Sequence, residues 1–327
     1  MTKNMRKGLL SLCCIIGIVC GCNRKNTKTI DAAEQSEGRF VIGYCINSIS
    51  DVFQIQVVDA VKTSIIAAGG SIKVLSADDS AVKQRNQASH FAETRVDGLI
   101  VVPVDTDCAA AVAAIAHDAG IPLCFVNRNP YEDINSIPDG VYVVGSEENI
   151  AGRLQADYAG KTLNGRGNVG ILMGPAGQEA SRERTKGNKE VFHENYPEIT
   201  VLVEEAADWD RQRAITVTNR WLKLYDKQLT AILANNDEMA LGAIAALHET
   251  GNEHILVFGI DATIEGKAAV RQGKMRATVL QNAEQQGQLA AQIIIDAVSG
   301  KESKKLHRVP FQLIDEEILL WQEKNNR

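Results

Sequence analysis

The chain has 327 residues, 45% hydrophobic and 23% charged, with 35 Lys and Arg against 41 Asp and Glu for a formal charge of −6. An acidic balance with no basic stripe excludes binding along the polyanionic nucleic-acid backbone. The length accommodates two α/β lobes with separate cores, or one large α/β domain.

Residues 1–22 read as an export signal. Lys3, Arg6 and Lys7 make a positive amino end, and Gly8 to Gly21 is apolar but too short to span a bilayer. The segment closes on Val19-Cys20-Gly21-Cys22, which resembles the bacterial lipobox, so Cys22 is the expected site of cleavage and lipidation. Its removal takes away three basic residues and no acidic one, leaving 32 against 41 and moving the formal charge from −6 to −9. Residues 23–38 (NRKNTKTIDAAEQSEG) are polar and without periodicity, as a flexible tether would be. The expected location is extracytoplasmic, anchored by lipid to the cell membrane in the periplasm or on the outer face.

From Phe40 short apolar runs alternate with longer amphipathic ones. The first series of strands is FVIGYCI (40–46), SIKVLSA (71–77), GLIVVP (98–103), PLCFVN (122–127) and VYVVGS (141–146). Between the first two lies QIQVVDAVKTSIIAAG, which ends at Gly69 and Gly70 as a helix carboxyl end should. The rhythm restarts with NVGILMG (168–174), VLVEEAA (201–207), AILANN (231–236), ILVFGID (255–261) and ATVLQN (277–282). Runs apolar on both faces that alternate with helices mean parallel sheets, and two such series mean two doubly wound lobes. ATVLQN and the final run FQLIDEEILL (311–320) come too late to extend a simple second lobe, so the chain is expected to cross between lobes more than once. The boundaries that follow are 39–145 for the amino-terminal lobe, completed by 282–308, and 146–281 for the carboxy-terminal lobe, completed by 309–320.

Asn236 and Asp261 fall just past the carboxyl ends of two apolar runs, where open parallel sheets bind ligands. Neither is a nucleophile or sits beside a general base, so the pair is suited to holding a polar molecule and not to cutting one. Gly165-Arg166-Gly167-Asn168-Val169-Gly170 matches G-x-G-x-x-G but follows a helix and opens a strand, the reverse of a dinucleotide loop. Cys45, Cys108 and Cys124 have no zinc spacing and read as small buried hydrophobes. The six histidines lie apart, without metal or catalytic spacing. No cofactor and no metal are expected.

The ordered blocks NNDEMALGAIAAL (235–247), VFGIDAT (257–263), TVLQNAEQQG (278–287), PLCFVNRNP (122–130), VGSEENIAGRLQADY (144–158), RTKG (184–187) and ADWDR (207–211) resemble the type I periplasmic sugar-binding proteins, near their ribose-, galactose- and inositol-binding branches. The resemblance runs from about Phe40 to Leu320. It implies two doubly wound parallel-sheet lobes joined by a multi-strand hinge and closing over one sugar. It also implies roles for individual residues. Phe53 and Trp209 would cover the two apolar faces of the ring, one from each lobe. Asp51, Asn127 and Arg128 would bind hydroxyls from the first lobe. Arg184, Asn236 and Asp261 would bind from the second, with Gln281 near the hinge. Helix N-caps and turns are the competing explanation for this polar set, most of all for Asp51. Arg184 is preferred to Arg182 because it stands three residues before Gly187. The galactose branch's calcium loop is replaced here by LNGRG, which has no carboxylate.

Phe53-Gln54 and Asn127-Arg128 depart from the ribose branch, and Gln178 and Ala180 from the galactose branch. The VNRNP, VGSEENIAGRLQ and RTKG blocks look most like inositol-binding members. The resemblance therefore favours a cyclic polyol such as myo-inositol, with galactose or glucose second and ribose third. The implied protein is a non-enzymatic monomeric receptor that hands its cargo to the permease of an ABC importer. The alternative is the same module as sensory input to a membrane chemoreceptor or sensor kinase.

Overall fold

The structure, a computed structural model, describes residues 39–325. The expected signal peptide, Cys22 and the tether lie outside the described residues. In chain order the first half comprises β1 (Val41–Ile46), α1 (Val52–Ala67), β2 (Ser71–Ser76), α2 (Ala81–Glu93), β3 (Gly98–Val101), α3 (Thr106–Asp118), β4 (Leu123–Asn127) and β5 (Val141–Gly145). Then follow α4 (Glu148–Thr162), β6 (Arg166–Met173), α5 (Glu179–Asn195), β7 (Glu198–Ala206), α6 (Arg211–Tyr225), β8 (Ala231–Ala234), α7 (Asp237–Thr250), β9 (Leu256–Asp261), α8 (Ile264–Arg271) and β10 (Ala277–Leu280). The last elements are α9 (Ala283–Val298), β11 (Leu306–Arg308), β12 (Gln312–Asp315) and α10 (Glu316–Asn325).

These strands form two six-stranded sheets within one compact unit. The first has the order β11-β5-β4-β3-β1-β2 and is parallel throughout. The second has the order β12-β10-β9-β8-β6-β7, and only its edge strand β12 runs antiparallel. The central strands are buried on both faces, which is why β3 and β8 read as unbroken apolar runs. In the first lobe, Val57, Val61 and Ile65 of α1 and Ile293 and Ile294 of α9 close one face. Phe91 of α2 and Val112 of α3 close the other. In the second lobe, Val191 and Phe192 of α5 cover one face, and Trp221 of α6 with Met239 of α7 cover the opposite one. Each such buried side chain contributes about 1.5–3 kcal/mol by leaving water.

The chain passes from the first sheet to the second at 145–148, returns at 280–283, and crosses again at 308–312. One expectation is corrected here: ATVLQN does extend the second lobe, as β10 pairing in parallel with β9. FQLIDEEILL is not one strand either. It breaks at Asp315, whose Oδ1 accepts the Ile318 N–H at 2.9 Å and so starts α10. β3 lies between β1 and β4, which keeps Cys45 and Cys124 apart; both thiols, like that of Cys108, are buried and free.

Candidate functional site

The two sheets turn their strand carboxyl ends toward a shared cleft of about 760 Å³, within the ~300–1,000 Å³ range of small-molecule sites. Asn127 is the last residue of β4 and Asp261 the last of β9. Asn236 follows β8 and Gln281 follows β10. Asp51 and Phe53 begin α1, Arg184 comes from α5, and Trp209 occupies the turn between β7 and α6. All nine side chains picked from the sequence, Arg128 included, line this one cleft.

Several hold two positions at once. Asp51 caps α1, its Oδ1 accepting the N–H groups of Phe53 (3.1 Å) and Gln54 (3.2 Å), and still faces the cleft. Asn236 caps α7 by accepting the Met239 N–H at 2.9 Å, which leaves its amide N–H groups for another acceptor. The cap explanation and the site explanation therefore both describe these residues. Phe53 lies in the first turn of α1 and is only 7% exposed, because the rest of its ring belongs to the first-lobe core. Asn127 adopts φ +67, accepts from Gln54 Nε2 at 2.6 Å and donates to Gln286 Oε1 at 3.3 Å. Arg128 Nη1 donates to the Pro103 carbonyl at 3.0 Å.

Backbone strain gathers at the same place. Asp261 has φ +118 and Ala262 φ +53, and Asp208 and Trp209 have φ +55 and +64. Non-glycine residues in such regions cost on the order of 1–3 kcal/mol and persist where the surroundings impose them. Ala262 N–H is tied to Thr278 Oγ1 at 3.1 Å, and Thr278 in turn donates to the buried Asp237 at 2.7 Å. Trp209 Nε1 donates to Gln178 Oε1 at 2.8 Å, and its ring lies over Gly174, where any Cβ would overlap the indole.

The second-lobe wall is organised around Arg184. Nε meets Glu148 Oε2 at 2.7 Å, Nη1 the Asn235 carbonyl at 2.6 Å, and Nη2 Gln281 Oε1 at 3.1 Å. Gln281 Nε2 closes the ring by donating to Glu148 Oε1 at 3.2 Å. The Trp209 and Phe311 rings flank the guanidinium, each centroid 5.8 Å away. Three of its N–H groups are thereby committed within the protein, so Arg184 shapes the wall as much as it offers donors to a ligand. The helices carrying Arg184 and Glu148 come this close because residue 152 is Gly: a Cβ there would overlap the Arg184 carbonyl. Glu148 was missed in the sequence reading. As the first residue of a helix after a strand, it is indistinguishable by pattern from an ordinary acidic first-turn residue.

Charge in the cleft is tightly coupled. Burial holds the Asp261 carboxyl well above its usual range. Arg184 Nη1, 3.6 Å from its Oδ1, works against this, while Asp237, Asp51 and Glu148 add to it. Burial also raises Asp51, opposed by Arg128 and the two capping N–H groups. Glu179, which also lines the cleft, is pushed up to about 7 by burial and then by Glu148. Burial works to lower the Arg184 value, but Glu148 and Asp261 outweigh it.

A strained, polar, strand-end cleft between two doubly wound lobes suits the binding of a small polar molecule, and sequence comparison gives the family. Residues 42–302 match the family model described as a periplasmic binding protein domain. The chain belongs to the periplasmic binding proteins. This periplasmic binding protein is 34% identical over 249 residues to a putative rhizopine-binding protein of Rhizobium meliloti, covering 75% of this chain and 80% of that one. It is 26% identical over 274 residues to the ribose import binding protein of Bacillus subtilis, covering 84% and 87% of the two chains. Among solved structures it resembles an ABC transporter solute binding protein of Bacillus halodurans with bound myo-inositol. That match has a TM-score of 0.81 and 33% identity, covering 88% of this chain and 99% of that one. A Caulobacter myo-inositol binding protein aligns at TM-score 0.80 and 27% identity, over 86% and 95%. The family is extracytoplasmic, and these relatives include a ribose import binding protein and an ABC transporter solute binding protein. Among the described residues no helix is long and apolar enough to cross a membrane.

Proposed function

We propose that this periplasmic binding protein is a lipid-anchored, monomeric receptor. It takes a cyclic polyol, myo-inositol or a near relative, between its two lobes and delivers it unchanged to an ABC importer. One observation carries the reading. The residues suited to the apolar faces and hydroxyl belt of a six-membered polyol ring all converge on one cleft, with contributions from both sheets. Aromatic groups suit the C–H faces, and amides and carboxylates suit the hydroxyls, each able to serve two of them. The myo-inositol bound to the 33%-identical Bacillus halodurans relative supports the choice of ring.

Each lobe holds part of the contacts, so ligand favours the closed arrangement by its differential affinity for it. Closure is the form a permease could recognise as loaded. The cleft carries carboxylates but no nucleophile–base pair, and binding without turnover is the function that suits it.

The test is a thermal-shift panel of inositols, hexoses and pentoses. Ligand at about 100 times its Kd stabilises the folded state by about 2.7 kcal/mol, which for a chain of this size raises Tm by roughly 4–5 °C. A shift confined to inositols supports the reading, and a shift with galactose or ribose corrects the ligand. No shift with any of them refutes it. Anchoring is tested separately: Cys22→Ser should move the protein from the membrane fraction to the soluble one.

A further inference from the structure

The lobes are joined at three crossings, 145–148, 280–283 and 308–312. Each wall of the cleft is tied to these crossings by one glutamine. On the second-lobe side it is Gln281, which lies in the second crossing and bonds both Arg184 and Glu148. On the first-lobe side it is Gln286, in the first turn of α9. Its Oε1 accepts from Asn127 Nδ2 at 3.3 Å, and its Nε2 donates to Ser146 Oγ at 3.0 Å. Asn127 lines the cleft, whereas the fully buried Gln286 and the 5% exposed Ser146 do not. Ser146 stands in the first crossing, and its carbonyl accepts from Arg308 Nη1 at 2.9 Å, where the third crossing begins. The Val309 N–H, donating to the Gly145 carbonyl at 2.8 Å, fastens the same two segments. An unbroken chain of hydrogen bonds thus runs from Gln54 through Asn127, Gln286 and Ser146 to Arg308.

We infer that Gln286 is a positioning residue that couples the ligand contact at Asn127 to the hinge. The amide of Asn127 has two N–H groups and one oxygen with two lone pairs. Gln54 takes one lone pair and Gln286 one N–H, which leaves one of each for a ligand hydroxyl. A hydroxyl bonded there fixes the plane of the amide. Gln286 has no water to turn to, so its own amide follows, because a buried polar group left unpaired is costly. Ser146 Oγ is held by the far end of that amide, and the backbone of the first crossing is biased with it. A ligand shifts the balance of open and closed lobes only through interactions that differ between them. A relay from the cleft wall into the hinge supplies such an interaction from the first lobe. This role rests on Asn127 meeting the ligand, as in the proposed function.

Ser146→Ala removes only the hinge end of the relay, and Gln286→Leu removes both bonds at similar volume. Calorimetric titration of the purified wild type, both single variants and the double variant with myo-inositol reads the coupling. The urea midpoint of each protein reads its stability separately. Each single variant should weaken binding at least about fivefold, the lower end for coupled sites, although neither residue lines the cleft. The double variant should bind no worse than Gln286→Leu, since both changes cut one relay. A lowered urea midpoint with unchanged Kd would assign Gln286 to packing alone and overturn the coupling, as would losses that multiply in the double variant. If the wild type binds no myo-inositol, the polyol reading fails by itself, and hydrogen exchange of the ligand-free protein decides the relay. Amides of 145–148 should then exchange at least about fivefold faster in Gln286→Leu while those of β8 keep their rate; unchanged exchange at 145–148 overturns it.

Discussion

Replacing Glu148 by Gln removes the charge opposite Arg184 while keeping the length of the side chain. Both residues are 5% exposed and meet at 2.7 Å, so the guanidinium would be left buried with only Asp261 at 3.6 Å to compensate. Breaking one side of a buried pair costs about 3–5 kcal/mol. The amide oxygen of Gln can still accept from Arg184 Nε, which places the variant near the lower end. At about 1.7 °C per kcal/mol, from about 2.1 cal/mol/K of unfolding entropy per residue, the melting temperature should fall by roughly 5 °C. Binding should fall as well, because Glu148 orients Gln281 and Arg184 together, and a loss of about 1.4–2.8 kcal/mol is 10- to 100-fold in Kd. Urea denaturation and calorimetry read the two effects. The double variant Glu148→Leu with Arg184→Met separates them: an apolar pair of similar volume should restore most of the stability while binding stays lost. A single variant with unchanged urea midpoint and unchanged Kd would refute the role given to this pair.

Trp209→Ala should weaken polyol binding by about 2–4 kcal/mol, as loss of a central aromatic anchor does, with little change in the urea midpoint; calorimetry and denaturation check the two halves. Gly152→Ala should destabilise by about 1–3 kcal/mol through overpacking, since the new methyl meets the Arg184 carbonyl, and should weaken binding too. Glu179 has a raised folded-state pKa, so its contribution to stability is fully present below the ordinary carboxylate value and is lost as pH rises through about 7. The ligand-free wild type should therefore melt progressively lower than Glu179→Gln across that window. The gap should stay under about 1 kcal/mol, because the partly exposed group is screened by solvent. Melting curves of both proteins at a series of pH values measure it, and parallel profiles would show that Glu179 does not titrate there.

The central strands of both sheets were legible because burial on both faces forces unbroken apolar runs, as in AILA of β8 and LCFV of β4. β11 was not, because Leu306-His307-Arg308 belongs to its sheet through backbone pairing at an edge and carries no apolar pattern. The break inside FQLIDEEILL had a local signal, an Asp cap followed by two Glu in the first turn, which the apolar residues on either side obscured. At the cleft, residues at strand ends and in turns stood out by position. Glu148, Gln54, Gln178 and Gln286 did not, since each acts by holding another side chain. Contacts of 36 to 159 positions in sequence, such as Glu148 to Arg184 and Asn127 to Gln286, leave no mark on local pattern.

The central claim is that one polyol sits between the lobes, held by the residues of the cleft. A crystal structure of the protein grown with myo-inositol tests it most directly. The account predicts the ring between Trp209 and Phe53, with hydroxyls at hydrogen-bonding distance, about 2.7–3.2 Å, from Asp51, Asn236 and Asp261. A ring bound outside the cleft, or a closed cleft holding only water in saturating ligand, would contradict it.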